Sequence, residues 1–351
     1  MSEAVHQPLS TQLEPGTTLE SSMDDTNLGR QIRAAFYGLA VCDALGGPLE
    51  FKLRRPDPST YVRDMLPNPN FNLPAGHFTD DTSMALCLAV SLSAHNGQHD
   101  SADQARRYVM WLDEGYMSSV PGDAFDVGIQ TRQALRYWRE KSSVEAQHFV
   151  SEKLNEARRC GNGSLMRVLP CALMARSEEE AAALARQSST VTHPHARCVD
   201  ACAIYSVLTF HALRKASKEE LVQILQREAN VVSIDADLSQ RLKPYNDLTA
   251  FLSKPRKAIS SSGYVLDSLE AALWAFFRTD TFEEGAIEVV NLGNDADTVG
   301  AIYGGLAGAF YGEVNHIPER WLEEMKKVDL IEDVVVGILQ VRTQRKQQDI
   351  R

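Results

Sequence analysis

The chain has 351 residues, a formal net charge of −11 and 44% hydrophobic residues. That length allows one large or two ordinary domains, and the apolar content suffices for a sizeable core without disulfide or metal staples. The acidic balance excludes a protein that grips nucleic acid with a basic face, because neutralising phosphates needs clustered Lys and Arg. An anionic ligand would need local help from a metal or from backbone amides.

Residues 1–27 are polar and poor in aromatic and β-branched types. They cannot bury enough apolar surface to offset their ordering entropy, which predicts a disordered tail. They also lack the basic start and apolar run of a secretory signal, and no stretch reaches the roughly 20 apolar residues of a membrane span. A soluble, cytoplasmic protein is expected.

From 28 to 342 apolar residues recur at helical spacing in AFYGLAVCDALG, DDTSMALCLAVSLSAH, DACAIYSVLTFHAL, DSLEAALWAFF and DTVGAIYGGLAGAFYG. The expected fold is all-α, a single compact domain, taken to be a monomer. VVSIDA (231–236) is the one candidate for β alternation. Capping chemistry sets helix starts at Asp123, Ser177, Ser217 and Pro318. Residues 52–76, rich in Pro and Asn, and the polar region around 230–262 read as loops, the first leading straight into an acidic motif. Gly300, Gly304, Gly305 and Gly308 cost helix propensity, so tight packing must compensate, and their helix is expected at the centre. Residues 343–351 are expected to fray as a polar tail.

Cys42, Cys87, Cys160, Cys171, Cys198 and Cys202 are scattered, with no CxxC pair, and read as buried thiols. Cys198 and Cys202, four apart on a predicted helix, would permit a metal pair, against core packing as the plainer reading.

Two segments place carboxylates and a hydroxyl directly before small, apolar helices: Thr79-Asp80-Asp81-Thr82 and Asp295-Ala296-Asp297-Thr298. Either alone suits capping, since Asp and Thr in a first turn satisfy orphan amides and complement the helix dipole. Together they carry more acid than caps need, and a divalent cation would compensate the repulsion. The donors are all oxygens, which favours Mg2+, Mn2+ or Ca2+ over zinc or copper, and the four aspartates match two such ions. Glu50 in GGPLEF and Asp126 in GDAFDVGIQT are ambiguous by spacing. GNGSLMRVLP (161–170) offers free amides that suit a phosphate, or a plain glycine turn. His193 and His195 flank Pro194 at another helix entry, a spacing poorly suited to sharing a metal.

In order, CDALGGPLEF, GHFTDDTSMAL, FDVGIQT, GNGSLMR, THPHA, SSGYVLDSLEAALWAF and NLGNDADTVGAIYGGLAGA resemble the ADP-ribosylglycohydrolase family over roughly residues 29–315. The resemblance implies an orthogonal helical bundle that hydrolyses an N- or O-glycosidic bond of an ADP-ribosyl group at a site with two Mg2+ or Mn2+ ions. It implies Thr79, Asp80, Asp81, Asp295, Asp297 and Thr298 as metal ligands, with Glu50 near the metals and Asp126 near the reacting ribose, either of which would accept or relay the proton. Asn162, Gly163 and Ser164 would face the diphosphate or distal ribose, and His193, Gly263 and Tyr264 would border the ligand. A metal-activated water would attack the anomeric carbon.

Cys42 and Phe78 depart from the glycine and tryptophan common in the family, without removing a ligand. The GGPLEF and FDVGIQT segments lean towards arginine as the leaving group. Serine, an acetyl ester and a small ADP-ribose derivative stay open, as does an inactive ADP-ribose-binding relative or a two-metal phosphoesterase.

Overall fold

The computed structural model describes residues 19–349, with side chains from Asn27 onward. These residues form α1 (Leu19–Gly46), α2 (Asp80–Ala94), α3 (Ser101–Glu114), α4 (Ile129–Glu140), α5 (Ser143–Lys153), α6 (Leu169–Met174), α7 (Glu178–Thr190), α8 (Ala196–Ala212), α9 (Lys218–Ala229), α10 (Ala236–Leu242), α11 (Leu248–Ser253), α12 (Val265–Arg278), α13 (Phe282–Val290), α14 (Ala296–Tyr311), α15 (Glu319–Leu322) and α16 (Val328–Asp349). Among the described residues there is no strand, only the isolated bridges Asn68–Leu73 and Gly161–Tyr264. The all-α expectation holds. No described helix is long and apolar enough to cross a membrane.

The pair α1 and α14 makes the most extensive helix packing in the bundle. A Cβ at Gly304 would lie 2.0 Å from the Gly38 carbonyl oxygen, and one at Gly38 would lie 2.2 Å from that of Gly304. Glycine is therefore required on both sides of the crossing, and the propensity it costs is offset by backbone approach. Gly308 meets Ala34 and Gly300 meets Cys42 in the same way. This crossing aligns the C-terminal end of α1, which carries Asp43, with the N-terminal end of α14, which carries Asp297. Around the pair one apolar cluster takes in residues of nearly every helix, including the fully buried Trp111, Trp274 and Trp321. A small satellite of Ala134, Val150 and Leu154 sits between α4 and α5.

Ser177 and Ser217 cap α7 and α9 as expected, Ser217 in a full capping box, and Pro318 precedes α15. Other boundaries need correcting. The helix expected from Asp123 starts at Ile129, because Gly122 turns left-handed and the Asp123 amide closes a turn on Val120 O. VVSIDA is not a strand: Asp235 ends it by capping α10, accepting from Asp237 and Leu238 amides. The polar 230–262 region likewise contains α10 and α11, the latter capped by Asp247.

The expected tails shrink. Residues 1–18 lie outside the described residues, and 19–27 belong to α1. Residues 343–349 continue α16 because Arg345, nearly buried, pairs with Glu180 and donates to the Met174 carbonyl, while Arg342 donates to the carbonyls of Leu173 and Ala175. Those side chains satisfy carbonyls at the C-terminal end of α6, so the polar sequence is docked to the bundle.

Candidate active site

The two acidic helix starts meet at one end of the α1–α14 crossing. Thr79 is the N-cap of α2, yet its side chain does not cap its own helix. That task falls to Asp43 of α1, which is fully buried and accepts from the Thr79 amide (2.9 Å), Thr79 Oγ1 (2.9 Å), the Thr82 amide (3.1 Å) and Thr82 Oγ1 (2.6 Å). With the Thr79 and Thr82 amides met from another helix, neither is served by the side chain of Asp80 or Asp81. Asp81 Oδ2 lies 3.0 Å from Thr79 Oγ1 and competes with Asp43 for its one proton, and Oδ1 is buried without a partner.

At α14, Asp295 is the N-cap and again makes no side-chain cap bond; its Oδ2 receives Asn162 Nδ2 at 2.7 Å. Asp297 Oδ1 accepts from the Thr298 amide at 2.9 Å. Glu50 ends the 3-10 turn Gly47–Leu49 that follows α1, is buried, and leaves Oε2 unpartnered. Asp126 enters from the loop before α4 with a left-handed backbone, φ 63°. Carboxylate oxygens of Glu50, Asp126 and Asp297 lie within 4.8 Å of one another.

Burial first, then the mutual charge of Asp126, Asp295, Asp81 and Asp43, pushes Glu50 up to about 10. Burial also raises Asp126, to about 7, against the lowering hydrogen bond with Asp297. Asp80, Asp81 and Asp297 are held well above the ordinary carboxylate range by burial and by each other. Asp43 rises only to about 6, because burial is opposed by its bonds from Thr82 and Thr79. No described Lys, Arg or His forms an ion pair with this cluster. Crowded, unpaired carboxylates with orphaned buried oxygens fit hard divalent cations, which take oxygen ligands and would offset the repulsion. Capping accounts for little of this acid: neither N-cap side chain, Thr79 nor Asp295, caps its own helix, and of the four aspartates Asp297 takes a first-turn amide, that of Thr298.

A cleft of about 910 Å3 opens over these acids. Asp80, Asp295 and Thr298 reach its floor with Glu50 and Asp126, whereas Thr79, Asp81 and Asp297 lie behind. Its walls include Phe51, the segment 126–131, Arg158, Arg159, Gly161, Asn162, Gly163, His193, Gly263 and Asn294. Asn162 N–H donates to Gly263 O (3.0 Å) and Val265 N–H to Cys160 O (3.0 Å), so two loops pair to form one wall. A Cβ at Gly163 would sit 2.9 Å from His193 Cε1, so only glycine lets the imidazole reach the wall. Phe51, Asp126 and Asn294 all carry left-handed backbone at the cleft, a concentration of strain typical of functional sites.

Of the residues expected to face the ligand, Asn162, Gly163, His193 and Gly263 line the cleft. Ser164 and Tyr264 do not. The Ser164 hydroxyl is buried, lies 2.9 Å from Ser189 Oγ and accepts from Cys202 Sγ (3.4 Å). The Tyr264 ring turns away, with the Arg197 guanidinium 5.9 Å from its centroid. Cys198 points to Gly161 O, so Cys198 and Cys202 are packing thiols, and all six cysteines are free and buried. His195 caps α8 through Nδ1. Sequence reasoning missed Asp43, although a lone carboxylate inside the apolar run AFYGLAVCDALG was a usable signal, since a buried charge demands partners.

The family model described as ADP-ribosylglycohydrolase matches residues 24–348. The chain belongs to the ADP-ribosylglycohydrolase family. It is 37% identical over 296 residues to the ADP-ribosylarginine hydrolase Tri1 of Pseudomonas putida, covering 84% of this chain and 73% of that one. It is 32% identical over 313 residues to the ADP-ribosyl-[dinitrogen reductase] glycohydrolase of Rhodospirillum rubrum, covering 87% and 91%. A solved structure titled "ADP-ribosylglycohydrolase-related protein complex" superposes with a TM-score of 0.74 at 34% identity, covering 90% of this chain and 99% of that one. The chain is accordingly an enzyme of the glycosidic-bond hydrolase type.

Proposed function

We propose that this ADP-ribosylglycohydrolase removes ADP-ribose from modified protein side chains, with arginine as the preferred leaving group. The observation that carries the reading is the unpaired carboxylate cluster on the floor of the cleft, held in a chain whose relatives include a named ADP-ribosylarginine hydrolase. Asp80, Asp81, Asp295 and Asp297, with the hydroxyls of Thr79 and Thr298, would hold two Mg2+ or Mn2+ ions. Bound there, such ions supply Lewis-acid polarisation of a water and orientation of the ribose diol.

The protein's own groups do the rest. Glu50 and Asp126 line the cleft and take up the proton of the water that attacks the anomeric carbon; both also converge on Asp297, so either can contribute a ligand oxygen. Asp126, at about 7 in the cation-free protein, lies nearer the working range of a base than Glu50. The surrounding carboxylates favour the positive charge that develops on an oxocarbenium-like carbon. Asn162 holds Asp295 by its side-chain amide; the Gly161 and Asn162 backbone amides are already bonded, to Arg159 O and Gly263 O, so the turn would offer the diphosphate the Gly163 amide.

The test is one panel of purified protein with Mg2+ or Mn2+ against arginine-linked, serine-linked and O-acetyl ADP-ribose. Release of ADP-ribose fastest from the arginine conjugate is expected. Preferential turnover of serine-linked or acetyl substrate would move the leaving group, and cation-independent turnover would remove the metal from the scheme.

A further inference from the structure

Arg167, the last residue of GNGSLMR, is fully buried, and among the described residues it forms no ion pair. Its Nη2 donates to Thr192 Oγ1 at 2.6 Å, its Nη1 lies 3.9 Å from Met84 Sδ, and its guanidinium stands 4.5 Å from the centre of the Tyr108 ring. Nε has no partner at all. A buried guanidinium satisfied by one hydroxyl and a ring face is a costly way to fill space, since an apolar side chain of similar volume would pack there without the desolvation. The one polar group it engages leads to the cleft.

Thr192 is itself fully buried, and its Oγ1 lies 2.7 Å from His193 Nδ1. A guanidinium can only donate, so Thr192 accepts from Arg167. Were Nδ1 protonated, the hydroxyl would accept twice and its own proton would be buried with no acceptor. The pairing closes only if the hydroxyl donates to Nδ1, which leaves the imidazole proton on Nε2. The turn is pinned on both sides: the His193 amide donates to Ser189 O (2.7 Å), Ser189 Oγ donates to His193 O (2.9 Å), and Gln130 Nε2 donates to Thr192 O (3.2 Å). The Nε2 edge looks onto the glycine turn of the cleft wall, 3.7 Å from a Cβ built at Gly161 and 3.3 Å from one at Gly163.

We propose that Arg167 is a positioning residue: through the Thr192 hydroxyl it fixes His193 as an Nε2–H donor aimed from the cleft wall at an oxygen of the bound ADP-ribosyl group. This rests on the ADP-ribosyl reading of the cleft. Burial, then the charge of Arg167, pushes His193 down to about 3, so the ring stays neutral and keeps one proton to direct.

Nitrogen-15 NMR of the histidine rings in the free protein reads the tautomer, and calorimetry with ADP-ribose reads the consequence. Wild-type His193 should be neutral with its proton on Nε2. Thr192→Val removes the relay at nearly constant volume; the ring should then populate both tautomers and ADP-ribose affinity should fall about tenfold. Thr192→Ser restores the hydroxyl and should restore both readings, a rescue that a merely structural role would not tie to the ring signature. Arg167→Met should shift the tautomer in the same direction as Thr192→Val; if it does not fold, the two threonine variants still decide. A wild-type ring protonated on Nδ1, or a Thr192→Val protein with unchanged tautomer and affinity, overturns the relay even where ADP-ribose binds. A correct tautomer in a protein that does not bind ADP-ribose instead overturns the functional reading and the donor role that rests on it.

Discussion

The two acidic helix starts share a sequence pattern and differ in how they are held. At α2 the Thr79 and Thr82 amides are both met by Asp43, reaching in from α1, so the backbone there is fixed by a buried carboxylate outside the cleft lining. At α14 the N-cap Asp295 does not cap its helix; the Thr298 amide is met by Asp297 from within the same turn, and Asp295 is held by the Asn162 amide of a neighbouring loop together with Thr298 and Asp297. The chain before it turns left-handed at Gly293 and Asn294, and is tied to the segment after Glu50 by the bonds Phe51 N–H to Asn294 O (2.6 Å) and Asn294 N–H to Lys52 O (2.9 Å). The α2 start is thus a rigid anvil, and the α14 start is coupled to Glu50 and the cleft mouth. Stability should depend on the first, ligand geometry on the second.

The largest effect should come from removing Asp297, whose tie to the fold is the single amide of Thr298. Asp297→Ala should lower Mn2+ affinity by more than about 100-fold, beyond the loss typical of an outer-shell change, and abolish ADP-ribose release. Its melting temperature in chelator should rise, because one of several repelling buried carboxylates is gone. A drop in chelator would mean that Asp297 is structural. Asp43→Asn tests the other side of the comparison. The amide cannot accept all the donors now served, which leaves buried groups unpaired and should cost about 1–3 kcal/mol in urea unfolding with chelator present. Asp295→Asn in the same assay should cost less than Asp43→Asn; equal losses would erase the distinction between the two starts.

How much of this was legible beforehand follows from what each feature depends on. The helices were visible because apolar periodicity is local, and the central place of α14 because four glycines in one helix need a reason. TDDT and DADT were readable as more acid than a cap requires. What failed was whatever depends on a distant partner. Polar 343–349 looked frayed because Glu180 and the carbonyls of α6 that hold it are far away in the chain. Asp123 looked like a cap because a left-handed Gly122 leaves no local trace beyond a glycine. Ser164 and Tyr264, inferred to face the ligand from their neighbours, point the other way because side-chain direction changes from one residue to the next. Asp43 was overlooked since its role exists only where α1 crosses α2.

Acidity gives a smaller and graded effect. Glu50 and Asp126 bind protons more tightly folded than unfolded, so the native state carries more protons and cation-free stability should decline as pH rises through the window from about 4 to about 7 and beyond. Saturating Mg2+ should flatten that decline, because cations replace protons as the compensating charge, and Mg2+ affinity itself should rise with pH. Urea melts at several pH values with and without Mg2+ would read both slopes. A cation-free stability that climbs between pH 5 and 7 would contradict the crowding seen in the cluster.

The smallest predicted effect tests how the α14 start is steered. Asn162 Nδ2 donates to both Asp295 Oδ2 (2.7 Å) and Ser268 Oγ (2.8 Å), so one amide links the carboxylate to α12. Asn162→Ala leaves Asp295 held by Thr298 and Asp297 alone, and should weaken Mn2+ by about tenfold, the lower end of an outer-shell loss. Because Asp43 still anchors α2, the chelator melt should barely move. A loss of stability matching that of Asp43→Asn would show that the α14 start is as structural as the α2 start, and that the cleft-side acids are not free to serve the ligand alone.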